Sequence, residues 1–244
     1  MLNAGSVFGV YPYPFRYESG EILVAVEQSD PFYTYTRVCR GARVEKVIAS
    51  PPGTILIHPV EPLTLPKQVT RFLEIRFPPV VVEPLAGKTL YVTFPLDIGV
   101  FIEGKGDIEK LDVFSLREPQ YSLYGPSDRG VITRYHESGI TGQIPTTDPF
   151  REGVMRLALK NASRNWIEVS RAVFENTNMI LFHDEMVGMT ARMEIFSGLV
   201  AETKIGDRPF REGMKRSVGL SSGRKATFVE QKGFLMEHGA ADGI

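Results

Sequence analysis

The sequence predicts an all-β protein whose antiparallel strands pack as a sandwich. Strand-type alternation of apolar and polar residues recurs from one end of the 244-residue chain to the other. β-branched and aromatic residues concentrate in the alternating runs, and clusters of proline, glycine and serine separate them at short intervals. At this length a large core can be buried, either in one continuous domain or in two packed β halves.

The elements follow in order. From Phe8 to Tyr17 an aromatic recurs at Tyr11, Tyr13, Phe15 and Tyr17, with Pro12 and Pro14 between them. Proline donates nothing to a ladder, so an edge strand or a polyproline-type lead-in is expected, its rings packed on the core in preference to forming an aromatic platform for a sugar or peptide. Ile22 to Val26 is a strand ended by Asp30-Pro31, and Tyr33 to Cys39 pairs with Arg43 to Ala49 around Arg40-Gly41. After the turn Ser50 to Gly53 comes a short strand, Thr54 to His58, and a proline-punctuated stretch to Pro66. Leu73, Ile75 and Phe77 alternate with Glu74 and Arg76, the pattern of a half-buried strand with one wet face. Leu90 to Leu96 repeats it, Ile98 to Ile102 follows, and Glu103 to Gly106 ends a hairpin. Asp107 to Asp112 reads as a single helical turn, too short to organise a fold.

Proline, glycine and serine thicken from Glu118 to Gly130. This marks either a boundary between residues 1–118 and 119–244 or a crossover within one domain. Val131 to His136 is a strand and Ser138 to Pro149 a polar loop. Met155 to Leu159, Ile167 to Val173, Met179 to His183, Met189 to Ile195 and Leu199 to Ile205 then read as an antiparallel meander, with a last strand at Ala226 to Gln231. Pro149-Phe150-Arg151-Glu152-Gly153 recurs as Pro209-Phe210-Arg211-Glu212-Gly213. The flanks diverge, so this reads as a shared turn-into-strand solution, or as chance, in preference to a domain repeat.

Composition excludes several classes. Lys plus Arg number 28 against 29 Asp plus Glu, which leaves no global field for nucleic acid or an anionic membrane. Cys39 is the only cysteine, so there is no internal disulfide and no multi-thiolate metal site; a reducing, cytoplasmic setting is expected. No signal peptide is legible at the N-terminus, and no run approaches the roughly 20 apolar residues of a membrane-spanning helix. A soluble protein is expected, and no cofactor is called for.

Four histidines carry most of the chemistry on offer: His58, His136, His183 and His238. A cupin-like metal site uses two or three imidazoles with a carboxylate, often as His-x-His on one strand, and that string is absent. His183 and Glu185 have period-2 spacing and a histidine such as His136 or His58 could join them, but His183-Asp184-Glu185 reads better as a polar turn. Gly219-Leu220-Ser221-Ser222-Gly223, with Glu230 and His238 after it, matches a hydrolase string without the strand-to-helix context that string needs. Lys215, Arg216, Arg224 and Lys225 around it read as a solvated basic turn. Arg171 and Arg192 lie within strands; if inward, they need a carboxylate such as Glu168 or Glu194, or a bound anion.

Three stretches resemble a known family: Pro95-Leu96-Asp97-Ile98-Gly99-Val100; Tyr121 to Pro126 with Gly130 to Tyr135; and Asn165-Trp166-Ile167-Glu168-Val169-Ser170-Arg171. They are similar to an uncharacterised archaeal family, domain of unknown function 432. The resemblance implies an archaeal origin and brings no catalytic residues with it. The expected function is a non-catalytic binding or interaction module, its surface drawn from the aromatic N-terminus or from Tyr121 to His136. Tyr124, Arg134, His136 and Arg171 are its candidate ligand-binding residues, with a small molecule or a protein as partner and a homo-oligomer left open. The alternative is a metal-dependent β-barrel enzyme using His183, Glu185 and His136.

Overall fold

The computed structural model describes residues 7–62, 69–104, 107–220 and 233–241. Alternation becomes strand almost wherever it occurs, and no α-helix forms among the described residues. Before position 118 run β1 (Gly9–Pro12), β2 (Phe15–Ser19), β3 (Ile22–Ser29), β4 (Phe32–Cys39), β5 (Ala42–Ile48), β6 (Thr54–Val60), β7 (Phe72–Val82), β8 (Gly87–Pro95), β9 (Asp97–Gly104) and β10 (Asp107–Phe114). After it run β11 (Gln120–Tyr124), β12 (Val131–Glu137), β13 (Glu152–Asn161), β14 (Ile167–Glu175), β15 (Phe182–His183), β16 (Val187–Ile195), β17 (Ala201–Ile205), β18 (Lys215–Arg216) and β19 (Phe234–Met236). A single 3-10 turn, Asn176–Asn178, follows β14.

Four sheets result. One has the order β1-β6-β9-β10 and a second is the meander β2-β3-β4-β5. The Arg40-Gly41 hairpin expected between β4 and β5 is present, with both residues at positive φ, which matches the strand twist. The third sheet runs β11-β12-β7-β14, and the fourth β18-β15-β16-β13-β8, with β17 joining β16 to β19. The third and fourth are mixed: β12 runs parallel to β7 and β13 parallel to β16. The sheets pack on one another around one apolar cluster that includes Val24, Tyr35, Ile57, Leu73, Phe94, Leu157, Phe174 and Met189. Burial of that apolar area is the main force holding them together. The fold class is the all-β sandwich-like one expected, and no closed barrel forms among the described residues.

Three expectations are corrected. Asp107 to Asp112 is part of β10 and not a helical turn. Its backbone pairs residue by residue with β9 from Asp107 opposite Gly104 onward, with a bulge near Leu111, and its charges are tolerated because β10 is an edge. The expected meander is not one: β13 lies between β8 and β16, while β14 crosses to pair with β7 in another sheet. Alternation specifies a buried face but not which strand will pair, so this error has a physical source. Finally, the side of β7 that carries Glu74 is not wet. Phe234 of β19 packs on Phe72 and Tyr124 there, and Glu74 is 0 % exposed. The strand expected at Ala226 to Gln231 lies outside the described residues.

β7 and β8 precede position 118 and are hydrogen-bonded to β12, β14 and β13, which follow it. Strands from the two sides of Glu118 to Gly130 therefore share sheets.

Candidate functional site

The third sheet gathers the residues that matter most. Register assigns its side chains to two faces. On one lie Ser122, Tyr124, Thr133, Tyr135, Glu74, Arg76, Arg171 and Val173; on the other lie Tyr121, Leu123, Ile132, Arg134, His136, Leu73 and Ile75. The four residues expected to bind a ligand are thus in one sheet but divided: Tyr124 and Arg171 on the first face, Arg134 and His136 on the second.

The first face is a closed polar hub. Glu74 accepts from Ser122 Oγ at 2.6 Å, Thr133 Oγ1 at 3.2 Å and Arg76 Nε at 3.1 Å, and Arg171 Nη1 lies 3.6 Å away. A buried carboxylate with this many donors and a cation is well compensated. Arg171 is inward as one reading required, but its carboxylate is Glu74 and not Glu168 or Glu194; Glu194 pairs with Lys160. The Tyr124 hydroxyl accepts from the His238 N–H at 3.1 Å, so this tyrosine is tied under the segment that carries β19.

The second face is different. Arg134 is 3 % exposed, yet its guanidinium makes no hydrogen bond and no ion pair among the described residues. The little surface it keeps includes the guanidinium. His136, two residues along the same strand face, meets Thr93 Oγ1 through Nε2 at 2.8 Å. Ser138 Oγ accepts from the Thr93 N–H at 2.7 Å. Burial, then the charges of Arg117 and Arg134, push the His136 imidazole down to about 4. Arg117 is ion-paired to Glu152. The result is a local cationic site with one guanidinium that no described residue neutralises.

The metal alternative groups its residues differently. His183 is buried at the end of β15, Glu185 is exposed in the turn that follows, and His136 belongs to the third sheet. The turn expected at His183-Asp184-Glu185 is present, pinned by the Met186 N–H on Asp184 Oδ1 and by Arg211 on Asp184. His183 has His58 beside it, ring centroids 5.0 Å apart, and its Nε2 has no hydrogen-bond partner. His58 Nδ1 accepts from the Val218 N–H at 3.0 Å and Glu61 from the Leu220 N–H at 3.1 Å, fastening residues 215–220 across this cluster. Among the described residues no group of three or more His, Cys, Asp or Glu is placed to hold a metal ion. Of the hydrolase string, Ser221 and Glu230 lie outside the described residues; so do Arg224 and Lys225. Lys215 and Arg216 form β18.

Sequence reasoning did not single out Glu74, which it placed on a solvated face, nor Leu123 and Ile132. The last two are 46 % and 50 % exposed beside Tyr121. Their signal was available: Pro119 to Gly125 is a strand-forming run without one charge.

Fold and site define an all-β protein of packed antiparallel and mixed sheets, with a buried cationic site on one of them and no helix among the described residues long and apolar enough to cross a membrane. The model of the family described as protein of unknown function (DUF432) matches residues 7–237, and the chain belongs to that family. Comparison with curated proteins and with solved structures finds no match.

Proposed function

We propose that this protein is a binding module for an anionic ligand, a carboxylate or phosphate group held by Arg134 with His136 beside it. The observation that carries this reading is the buried, unneutralised guanidinium. Arginine stays charged at any working pH, and an uncompensated buried charge costs several kcal/mol, roughly, in the empty protein. A planar fork of N–H donors is matched to a carboxylate or phosphate, and low local dielectric strengthens the contact once it forms. The Thr93 hydroxyl, hydrogen-bonded to His136 Nε2, fixes the imidazole beside the guanidinium, while the Ser138 hydroxyl donates to the Gly139 carbonyl. The polar hub around Glu74 is the support: it locks β7, β12 and β14 together beneath the site.

Thermal unfolding tests the reading with three probes, inorganic phosphate, succinate and chloride, on the wild type and on Arg134→Met. Phosphate also stabilises proteins non-specifically, so the variant is the reference. A saturable rise in melting temperature with phosphate or succinate, lost in Arg134→Met, supports the site. A ligand at about 100 times its Kd adds roughly 2.7 kcal/mol. The empty variant is expected to be at least as stable as the wild type, because methionine removes a buried charge and keeps the volume. A variant several kcal/mol less stable, or an anion response identical in both proteins, would sink the proposal.

A further inference from the structure

We infer that the free edge of β11 is a self-association surface on which a second copy of this chain adds its own β11, antiparallel, across a two-fold axis near Ser122. This inference is independent of the anion site. It starts from how the other sheet edges are treated. An unpaired strand offers backbone donors and acceptors to any extended segment, and proteins blunt such edges with charge, proline, shortness or cover. β2 carries Arg16 and Glu18, β5 carries Arg43, Glu45 and Lys46, β10 carries Asp107, Glu109 and Lys110, and β18 is Lys215-Arg216. β1 ends in Pro12, β8 is bridged to Thr141 through Tyr91, β14 is bonded to Ala240 through Ser170 and Arg171, and β19 has three residues.

β11 has none of these devices. Gln-Tyr-Ser-Leu-Tyr is uncharged, is five residues long, and has β12 as its only strand neighbour among the described residues. On one face it exposes Tyr121, 40 %, and Leu123, 46 %, and β12 adds Ile132 directly opposite Leu123. These three form a continuous apolar surface at the edge itself.

The occupant follows from the pattern. Placed antiparallel about Ser122, two β11 strands set Leu123 of each copy opposite Tyr121 of the other on the same face. Aromatic against aliphatic is a favoured cross-strand pair, and it occurs twice by symmetry. No like charges meet anywhere along the five residues. The pairing extends the third sheet through the seam, with Ile132, Leu123, then Tyr121 of the second copy in one apolar row. A seam of this length falls below the roughly 1,200 Å² of total buried area typical of permanent complexes, so association is weak and concentration-dependent.

Sedimentation velocity over a wide concentration range tests this, with hydrogen exchange of residues 120–124 followed on the same samples of the full chain. The expected result is a mass that doubles on concentration, with β11 amides gaining protection in parallel. Leu123→Lys stays monomeric, and Val47→Lys, an apolar-to-charge change at an exposed position on β5, behaves as the wild type. A dimer that survives Leu123→Lys, or one that forms without protecting residues 120–124, overturns the inference. So does a wild type that is monomeric throughout. In that case an added peptide of alternating valine and threonine that protects β11 shows the edge to be a docking strip for another partner. The exchange measurement needs no variant, so a misfolded Leu123→Lys does not blunt the test.

Discussion

His58 and His183, from opposite halves of the chain, meet edge to face with ring centroids 5.0 Å apart and planes inclined at 74°. Both imidazoles resist protonation. Burial, then the neighbouring imidazole, pushes His58 down to about 4, and burial followed by the Lys215 charge lowers His183 as well. His136 is held down to about 4 on the third sheet. An imidazole in the unfolded chain titrates near 6.5. Between that pH and about 4 the unfolded state binds protons that the folded state refuses, so stability is full above pH 6.5 and falls as pH drops. The loss approaches about 3 kcal/mol for each of His58 and His136. Urea unfolding at pH 7.5 and 4.5 measures it. His58→Asn, whose side-chain oxygen can still accept from the Val218 N–H, is expected to flatten the profile; a wild-type midpoint that does not move between the two pH values refutes the assignment.

The Glu74 hub predicts non-additive mutants. Glu74→Ala removes the acceptor shared by Ser122, Thr133 and Arg76 and the carboxylate 3.6 Å from the buried Arg171, and is expected to cost about 3–5 kcal/mol. Arg171→Met should cost less in this background than in the wild type, because the Glu74–Arg171 contact is already gone. Denaturant midpoints for the two single variants and the double variant complete the cycle. Strict additivity would mean that the two side chains do not interact.

Glycines separate by what surrounds them. A Cβ at Gly153 would lie 2.2 Å from the ring of Phe94, which is fully buried, whereas one at Gly198 meets nothing within 4 Å. Gly153→Ala is expected to lower stability by about 1–3 kcal/mol through displacement of that ring. Gly198→Ala should stay within about 0.5 kcal/mol of the wild type. Equal melting temperatures for the two variants would contradict the packing described.

An anion in the second-face site should also be visible at His136. A bound phosphate or carboxylate opposes the Arg134 and Arg117 charges, so the imidazole becomes easier to protonate. The His136 ring resonances, titrated by NMR with and without phosphate, are expected to show an upward shift that Arg134→Met abolishes.

Most strands were legible in the sequence because their side chains alternate with the pleat: β3, β4, β7, β8, β12 and β16 all coincide with runs of period two. What was not legible is pairing. Nothing in Met155 to Leu159 says that β13 has β8 on one side and a parallel β16 on the other. The site was legible in part. Arg134 and His136 stand on one face because they are two apart on a strand, and Tyr124 and Arg171 stand on the opposite face because of registers no local pattern carries. Glu74 looked solvated because its own strand alternates; the segment that buries it lies far along the chain.

The interleaving of the third sheet bears on how the protein is made. β7 is an interior strand, and both of its neighbours, β12 and β14, come later in the sequence. As the chain leaves the ribosome, the apolar run of β7 waits with both edges open until β12 is made, and with one edge open until β14 completes some ninety residues after it, roughly 5–20 s at ordinary elongation rates. Non-local pairing of this kind also slows folding once synthesis is complete. Yield in cells should therefore respond to holdase chaperones and to growth temperature more than the stability of the finished fold would suggest.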